Sequence, residues 1–270
     1  MELPLKSGSQ GLYVEQWQKF LIKHTYLSSS PSGAFDAATR DATKRFQTVC
    51  KLKSDGIAGN RTLGAAIERG LKFIDSSAAP IEEGSNWPPA PSFAPLSSIT
   101  AIQSIFGKFE YELVRGPGAE RESIRMLDNW ERDNIVKVAL PRIADVVRGP
   151  AGGSVRFHRL AAKQLHDLWG AWERAGLLNR IVSWDGSFNA RYKRGSDVTK
   201  KSDKNLSNHS FGTAFDINVD ANDFRVLPAL LRQPGTVREM VSIANDHGFF
   251  WGGHFKTRLD GMHFEVAEIK

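Results

Sequence analysis

A histidine and an aspartate lie seven residues apart in the stretch "SNHSFGTAFDIN". His209 falls in a predicted loop, and Asp216 falls inside a predicted strand over residues 212–219. Because side chains alternate between the two faces of a strand, Asp216 lies opposite the apolar residues of that strand. Those apolar residues are Phe215, Ile217 and Val219. A carboxylate on the other face of so apolar a strand indicates a chemical role.

A second predicted strand, over residues 262–269, carries side chains of the same kind. In "LDGMHFEVAEI", His263 and Glu265 share one face, while Phe264 and Val266 share the other. Two amphipathic strands therefore each direct metal-capable side chains away from an apolar face.

The two strands together offer a set of ligands that suits a catalytic metal. Zinc in such a site commonly has three nitrogen or oxygen ligands and keeps a fourth position open. His209, Asp216 and His263 supply two imidazoles and one carboxylate. Asp260, three residues before His263, is placed to take the proton of an attacking water. From spacing alone, a hydrogen-bonded His–Asp pair that stabilises a loop is an alternative to this metal site.

A stretch rich in Pro, Ser and Ala interrupts the chain between two regions of regular pattern. Residues 75–98 read "DSSAAPIEEGSNWPPAPSFAPLSS" and have no sustained period, which is typical of a linker. The sequence therefore predicts a small domain over residues 1–74 and a larger domain over residues 99–270.

Three helices are predicted in the small domain. The second begins after Asp36, a good N-cap residue, and runs through Phe46. The third begins near Asn60 and stops at Gly70. The first helix has one apolar face, formed by Val14, Trp17, Phe20 and Leu21.

The small domain also contains an internal repeat. "GAFDAAT" (33–39) and "GIAGNRT" (56–62) both place Gly six residues before Thr, just ahead of a helix. With the WQ of the first helix and the RFQ of the second, most of residues 8–70 resembles the three-helix peptidoglycan-binding domain of many cell-wall hydrolases. The resemblance implies wall binding by the domain as a whole, since Trp17 and Phe46 taken singly are explained by packing in a helical core.

The large domain changes character along its length. A buried helical stripe is predicted from Ile124 to Val138, ended by Pro141, and a strong helix over residues 158–175. Predicted strands follow at about 180–184, 212–219 and 262–269. Helices first and strands later favour an α+β domain, for which we expect a central antiparallel sheet.

Three motifs of the large domain occur together in one family. "SNHSFGTAFDIN", "HGFFWGG" and "DGMHFE" resemble the signature of the zinc D,D-peptidases, which include VanY-type carboxypeptidases and phage L-alanyl-D-glutamate endopeptidases. The resemblance spans nearly all of residues 100–270. It implies that His209, Asp216 and His263 bind Zn²⁺ and that Asp260 is the general base, and later the acid that protonates the leaving amine.

The resemblance also implies substrate contacts. Arg191, in "FNARY", matches the arginine that binds a substrate carboxylate or stabilises the developing oxyanion, although it is also explained as a surface arginine and Arg194 competes for the role. Trp251 and His254 are further candidates for substrate binding. His254 departs from the family, which often has an aromatic residue at that position.

Charge and composition restrict the partners. The net charge of +6 and the pI near 9.4 favour an anionic partner, such as a cell wall, nucleic acid or an acidic lipid surface, or serve solubility. No DNA-recognition motif is present, and no apolar run approaches the roughly 20 residues of a membrane span. Cys50 is the single cysteine, so no intrachain disulfide forms. We therefore expect a monomer that binds peptidoglycan, without a nucleic-acid or membrane partner.

The resulting hypothesis is a modular peptidoglycan hydrolase. The N-terminus "MELPLKSGSQ" has no signal-peptide pattern, which favours synthesis in the cytoplasm and release by lysis or a secretion machine, as for an endolysin. On that basis the sequence favours an L-Ala–D-Glu endopeptidase. The alternatives are a D-Ala-D-Ala carboxypeptidase and a non-catalytic wall-binding or phage structural protein.

Overall fold

A computed structural model describes residues 4–71, 87–115, 120–231, 233–256 and 258–270. Its helices are α1 (Leu12–Lys23), α2 (Ala37–Val49), α3 (Asn60–Ile67), α4 (Ile99–Phe106), α5 (Trp130–Asn134), α6 (Ala162–Arg174), α7 (Val219–Asn222) and α8 (Arg238–Asp246). Its strands are β1 (Tyr111–Leu113), β2 (Ile124–Met126), β3 (Ile135–Ala139), β4 (Ser154–His158), β5 (Trp184–Gly186), β6 (Ala214–Ile217), β7 (Phe249–Trp251) and β8 (His263–Val266). Within these residues, none of the helices has both the length and the apolar character that crossing a bilayer requires.

The chain divides into two compact units that each combine separate stretches of sequence. The first contains Met1–Pro88, Asp220–Arg238 and Gly253–Gly261, and the second contains Pro89–Val219, Glu239–Gly252 and Met262–Lys270. The first unit thus includes two segments that the sequence assigned to the large domain. The predicted domain boundaries stay a prediction, and residues 75–86 of the predicted linker lie outside the described residues.

The sheets confirm the predicted α+β class. A four-stranded antiparallel sheet has the order β5-β6-β8-β7, and two further antiparallel pairs join β1 to β2 and β3 to β4. The sheet's central strands, β6 and β8, are the two that carry the predicted ligands.

The three predicted N-terminal helices are present. Asp36 precedes α2, and its carboxylate accepts a hydrogen bond from the backbone N–H of Thr39 at 2.7 Å, so it is an N-cap as expected. The whole predicted apolar face of α1 is buried. Trp17 also donates a hydrogen bond from Nε1 to Oγ1 of Thr43 at 3.0 Å, which satisfies its one polar atom inside the core.

A buried glutamine explains the first copy of the internal repeat. Gln18 follows Trp17 in α1 and donates from Nε2 to the carbonyl of Ala34 and to Oγ1 of Thr39, both at 2.9 Å. Its Oε1 accepts from the backbone N–H of Gly33 at 2.9 Å. The side-chain amide of Gln18 therefore forms hydrogen bonds with both the Gly and the Thr of the first copy.

In the second copy, Gln47 of α2 forms the corresponding hydrogen bonds. Its Nε2 donates to the carbonyl of Ile57 and to Oγ1 of Thr62, both at 3.0 Å, and its Oε1 accepts from the backbone N–H of Gly56 at 2.8 Å. The six-residue spacing of Gly and Thr is thus set by one amide that holds a loop against the start of the next helix.

The predicted helical stripe from Ile124 to Val138 is wrong. The stripe is divided among β2, α5 and β3, and its member Leu127 is 58% exposed. The Asp128 side chain accepts the backbone N–H groups of Glu110 and Trp130, which stabilises a turn where the helix was expected. The β-branched residues of β3 then pair with β4, where they fit a pleated strand better than a helix.

The helix predicted over residues 158–175 is confirmed with a shorter range, because α6 begins at Ala162. His158 instead ends β4 and is fully buried. Its Nε2–H donates to the carbonyl of Phe106 at 3.2 Å, and its ring lies against Phe106 and Trp130. His158 is therefore a core histidine with a satisfied donor.

Burial of His158 predicts an acid-dependent loss of stability. Desolvation lowers the pKa of His158 from 6.5 to about 4. Between these values the unfolded chain binds a proton that the folded chain does not, so stability falls as the pH falls from about 6.5 to 4. We expect this group to contribute a loss of about 3 kcal/mol in the free energy of unfolding between pH 7 and pH 4.

Urea unfolding at a series of pH values measures this dependence. In His158→Phe the slope over that pH range should decrease by the equivalent of one proton relative to the wild type. An unchanged slope would assign the acid sensitivity to other groups.

Candidate metal centre

The register of the central strands brings two predicted ligands together. Strands β6 and β8 pair antiparallel, with Asp216 opposite His263. Both side chains therefore lie on the same face of the sheet. Strand β6 is shorter than predicted: it ends before Asn218, which is left-handed with φ 58°. Both of its faces are buried, so the face that carries Asp216 is covered by protein too.

His209 reaches the same place from the turn that precedes β6. It lies in a 3-10 turn, Asn208–Phe211, that Ser207 caps by accepting the backbone N–H of His209 at 3.3 Å. Gly212 then takes φ +63°, and a Cβ at that position would lie 2.6 Å from Cδ1 of Ile135. The left-handed backbone and the backbone nitrogen of His158, 3.1 Å from that Cβ, favour a glycine where the chain turns from His209 into β6.

Three potential ligand atoms converge within the described residues. His209 Nε2 lies 3.2 Å from His263 Nδ1 and 3.3 Å from Asp216 Oδ2, and His263 Nδ1 lies 2.9 Å from Asp216 Oδ1. The three side chains are only 3%, 7% and 8% exposed. Sequence reasoning predicted this set, and the structure brings it together.

Neighbouring acceptors determine which ring nitrogens carry hydrogen. His209 Nδ1 lies 2.6 Å from the carbonyl oxygen of Ser187, and His263 Nε2 lies 2.9 Å from Oε2 of Glu265. Both outer nitrogens therefore donate, and the inner nitrogens are the ring atoms that point into the cluster. Asn208 also donates to Oε2 of Glu265, at 2.5 Å, which holds the carboxylate in place. Outer partners of this kind fix the orientation of metal-binding histidines.

The inner atoms fit a small cation. Two imidazole nitrogens and a carboxylate that converge in a buried place need a positive charge between them, either a proton or a metal ion. Ligands about 2.0–2.2 Å from a tetrahedral zinc ion lie roughly 3.3 Å apart, close to the three distances in this cluster. Two imidazoles and one carboxylate also match the donors that zinc takes in catalytic sites.

Electrostatics within the cluster oppose the cost of burial. Burial favours neutral Asp216, but the neighbouring charge of His209 and hydrogen bonds from both histidines hold the pKa of Asp216 below its usual range. Burial likewise opposes a charge on His263, yet its hydrogen bonds to Asp216 and Glu265 hold the pKa of His263 well above its ordinary value. The metal-free cluster thus keeps negative charge on Asp216 and a proton on the histidines, and a metal ion that binds there must displace that proton.

The remaining predicted residues of the second unit have different environments. Arg191 is half-buried, and its backbone N–H donates to Oγ of Ser210 at 2.9 Å, next to His209 in sequence. Its Nη1 donates to the carbonyl of Tyr192 at 3.2 Å. Arg194 is exposed, and Trp251 is fully buried in β7. Their roles in substrate binding stay predictions.

Asp260 and His254 belong to the first unit. The backbone of Asp260 forms an isolated antiparallel bridge with Phe224. His254 donates from Nε2 to the carbonyl of Pro88 at 2.9 Å, and its ring meets that of Trp87 edge to face. Burial lowers the pKa of His254, so this extra imidazole is held in its neutral form. The catalytic role of Asp260 and the substrate role of His254 stay predictions.

Sequence reasoning did not assign a role to Glu265, Asn208 or Ser187. The alternation of side chains in "HFE" already placed Glu265 on the face of His263, so its proximity had a visible signal. No sequence pattern indicated the contacts of Asn208 and Ser187, because these contacts depend on how two loops fold against the sheet.

Comparison with protein families gives two matches. Residues 200–266, which contain the three converging side chains, Asp260 and Glu265, match a family model described as D-alanyl-D-alanine carboxypeptidase. Residues 10–65 match a model described as a putative peptidoglycan binding domain. No curated protein matches the chain significantly. The two family matches confirm the predicted resemblance: a peptidoglycan-binding domain near the N-terminus is joined in one chain to a segment that is similar to the D-alanyl-D-alanine carboxypeptidase model.

Proposed function

We propose that the protein is a zinc-dependent peptidase that hydrolyses a peptide bond in the stem peptide of bacterial peptidoglycan. The observation that carries the proposal is the buried convergence of His209, Asp216 and His263 on one point, with the outer nitrogen of each histidine already bound to an acceptor. This arrangement lies within the segment that matches the peptidase family. An intact set of three donors argues against a non-catalytic wall-binding or structural protein.

The roles of the side chains follow from their chemistry. A zinc ion held by the three ligands would supply a Lewis acid for the scissile carbonyl and lower the pKa of water. Asp260 acts as general base toward the attacking water and then returns the proton to the leaving amine. Arg191 offers a positive charge to a substrate carboxylate or to the developing oxyanion. Arg194, Trp251 and His254 are the further candidates for substrate contacts.

Two bonds are candidates for cleavage. The first is the L-Ala–D-Glu bond, because the motifs around His209 and His263 resemble a family that includes phage endopeptidases as well as carboxypeptidases, and the protein would then act as an endolysin. The second is the terminal D-Ala-D-Ala bond, which is favoured by the description of the matched family model.

The N-terminal domain gives the enzyme a second binding site for its substrate. The match over residues 10–65 supports binding to peptidoglycan, and the net charge of +6 favours an anionic wall. Linking a binding domain to a catalytic site raises the local concentration of substrate without any new contact at that site. We propose that the protein acts as a monomer on the cell wall.

Cleavage of purified peptidoglycan tests the function. For the endopeptidase, zymography should show a cleared zone that a chelator removes and that added zinc restores, whereas a carboxypeptidase leaves the network intact and gives no cleared zone. Mass spectrometry of the released fragments then identifies the bond, because an L-Ala–D-Glu endopeptidase frees stem peptides that begin with D-Glu and leaves L-Ala on the glycan, whereas a carboxypeptidase frees only D-alanine. Wall binding without any released fragment would contradict the proposed peptidase activity.

A further inference from the structure

The third helix of the N-terminal domain packs against a segment from the middle of the peptidase sequence. Within the first unit, the backbone N–H of Leu227 donates to the carbonyl of Asn60, the first residue of α3, at 2.9 Å. Leu227 and Leu230 are buried in the same hydrophobic core as Trp17 and Phe46. Segment 220–238 therefore completes the core of the three-helix bundle.

Two ion pairs fix the position of this segment along α3. Arg61 Nη2 lies 3.0 Å from Asp223 Oδ2, and Arg225 Nε lies 3.3 Å from Glu68 Oε1. Arg61 lies in the first turn of α3 and Glu68 directly after its last residue, so the two pairs hold the segment at both ends of the helix. Both pairs have an exposed arginine, at 69% and 56%, and so add little affinity, but together they define the register of the contact.

Close backbone approach makes this contact specific. A Cβ built on Gly64 of α3 would lie 2.5 Å from the carbonyl oxygen of Arg225 and 2.8 Å from the backbone nitrogen of Leu227. Arg225 itself is left-handed, with φ 62°, a conformation that a residue of its type keeps only when its surroundings impose it. The helix and the segment are thus fitted to each other with no space for a methyl group.

The same segment holds the backbone of Asp260. Phe224 bridges Asp260, and the backbone N–H of Arg225 donates to the carbonyl of Leu259 at 2.7 Å. On the other side of Asp260, a Cβ on Gly261 would lie 2.5 Å from Cγ of Pro228, so this backbone too is packed closely on the segment. A continuous set of backbone contacts therefore leads from Gly64 through residues 224–228 to Asp260.

We propose that α3 of the peptidoglycan-binding domain positions Asp260 through residues 223–227. The N-terminal domain is then part of the catalytic framework as well as a wall anchor. Gly64 is a positioning residue, because any side chain there displaces the backbone that holds Asp260. The inference rests on the proposed role of Asp260 as general base.

Gly64→Ala tests the proposal in the full-length protein, with a soluble stem peptide as substrate so that wall binding plays no part. A displacement of about 1 Å at a catalytic group can reduce turnover 100-fold, so we expect a 10- to 100-fold lower kcat with KM and zinc content unchanged. Amide hydrogen exchange should become faster at Arg225 and Leu227. The matched control is Gly170→Ala in α6, where only Nη1 of Arg174 lies within 4 Å of the new methyl group, and it should behave as the wild type.

A milder variant covers the case in which Gly64→Ala does not fold. The double variant Arg61→Gln and Glu68→Gln removes both ion pairs without adding volume, and its kcat should fall several-fold. Lys19→Gln, which removes the exposed Lys19–Glu15 pair of α1, is its control.

Two results would overturn the inference. One is a folded Gly64→Ala or double variant that keeps the wild-type kcat on the soluble peptide and loses activity only on intact walls. The N-terminal domain would then act as an anchor alone. The other is full activity of Asp260→Ala, which would also remove the proposed role of Asp260. The wild-type enzyme and Asp260→Ala, assayed alongside, separate the two failures.

Discussion

Asp260→Ala should abolish hydrolysis and keep its zinc, whereas His263→Ala should lose both. Asp260 is not one of the three converging donors, so its removal leaves the metal ligands complete. Loss of a general base typically reduces turnover 10²- to 10⁴-fold. His263 contributes Nδ1 to the cluster, 2.9 Å from Asp216 and 3.2 Å from His209, and its loss leaves only two ligands. Zinc per chain, measured by metal analysis, and kcat on a soluble stem peptide distinguish these outcomes.

The control for Asp260→Ala is Asp246→Ala, which removes an exposed carboxylate at the end of α8. It should change neither zinc content nor kcat. Equal loss of zinc from Asp260→Ala and His263→Ala would contradict the division of roles, since Asp260 would then act as a ligand. Retention of zinc by His263→Ala would show that His263 is not a metal ligand.

The sequence predicted the convergence of Asp216 and His263 because it depends on strand periodicity. Asp216 and His263 each lie on a strand whose opposite face is apolar, and such strands pair with their apolar faces on the same side. The helices of the small domain were equally predictable from the sequence, since an N-cap at Asp36 and a repeated Gly–Thr spacing are local signals.

Features that depend on contacts distant in sequence were not predictable. The error between Ile124 and Val138 arose because a helical spacing of apolar residues was read without the turn that Asp128 stabilises. The contact of Gly64 with Arg225 joins residues more than 150 positions apart, and no local pattern indicates it. A glycine inside a helix has a visible cost, but its reason becomes apparent only from the partner backbone.

Glu265→Gln should weaken zinc binding without removing any ligand atom. The carboxylate of Glu265 accepts Nε2–H of His263 at 2.9 Å and therefore directs Nδ1 of the same ring toward the cluster. It also adds negative charge next to a ring that becomes more positive when Nδ1 binds a cation. The neutral amide keeps the shape but loses the charge, and changes of this kind lower metal affinity about 10- to 100-fold.

The expected signature of Glu265→Gln is a loss of activity that depends on the zinc concentration. Competition with a chromogenic chelator should give a 10- to 100-fold higher Kd for zinc, while kcat at saturating zinc should return close to the wild-type value. Glu268→Gln is the matched control, because Glu268 is paired with Lys270 outside the cluster and its zinc affinity should not change. An unchanged Kd in Glu265→Gln would mean that the hydrogen bond from His263 does not orient the ring. A low kcat that saturating zinc does not restore would instead place the Glu265 carboxylate in the chemical step.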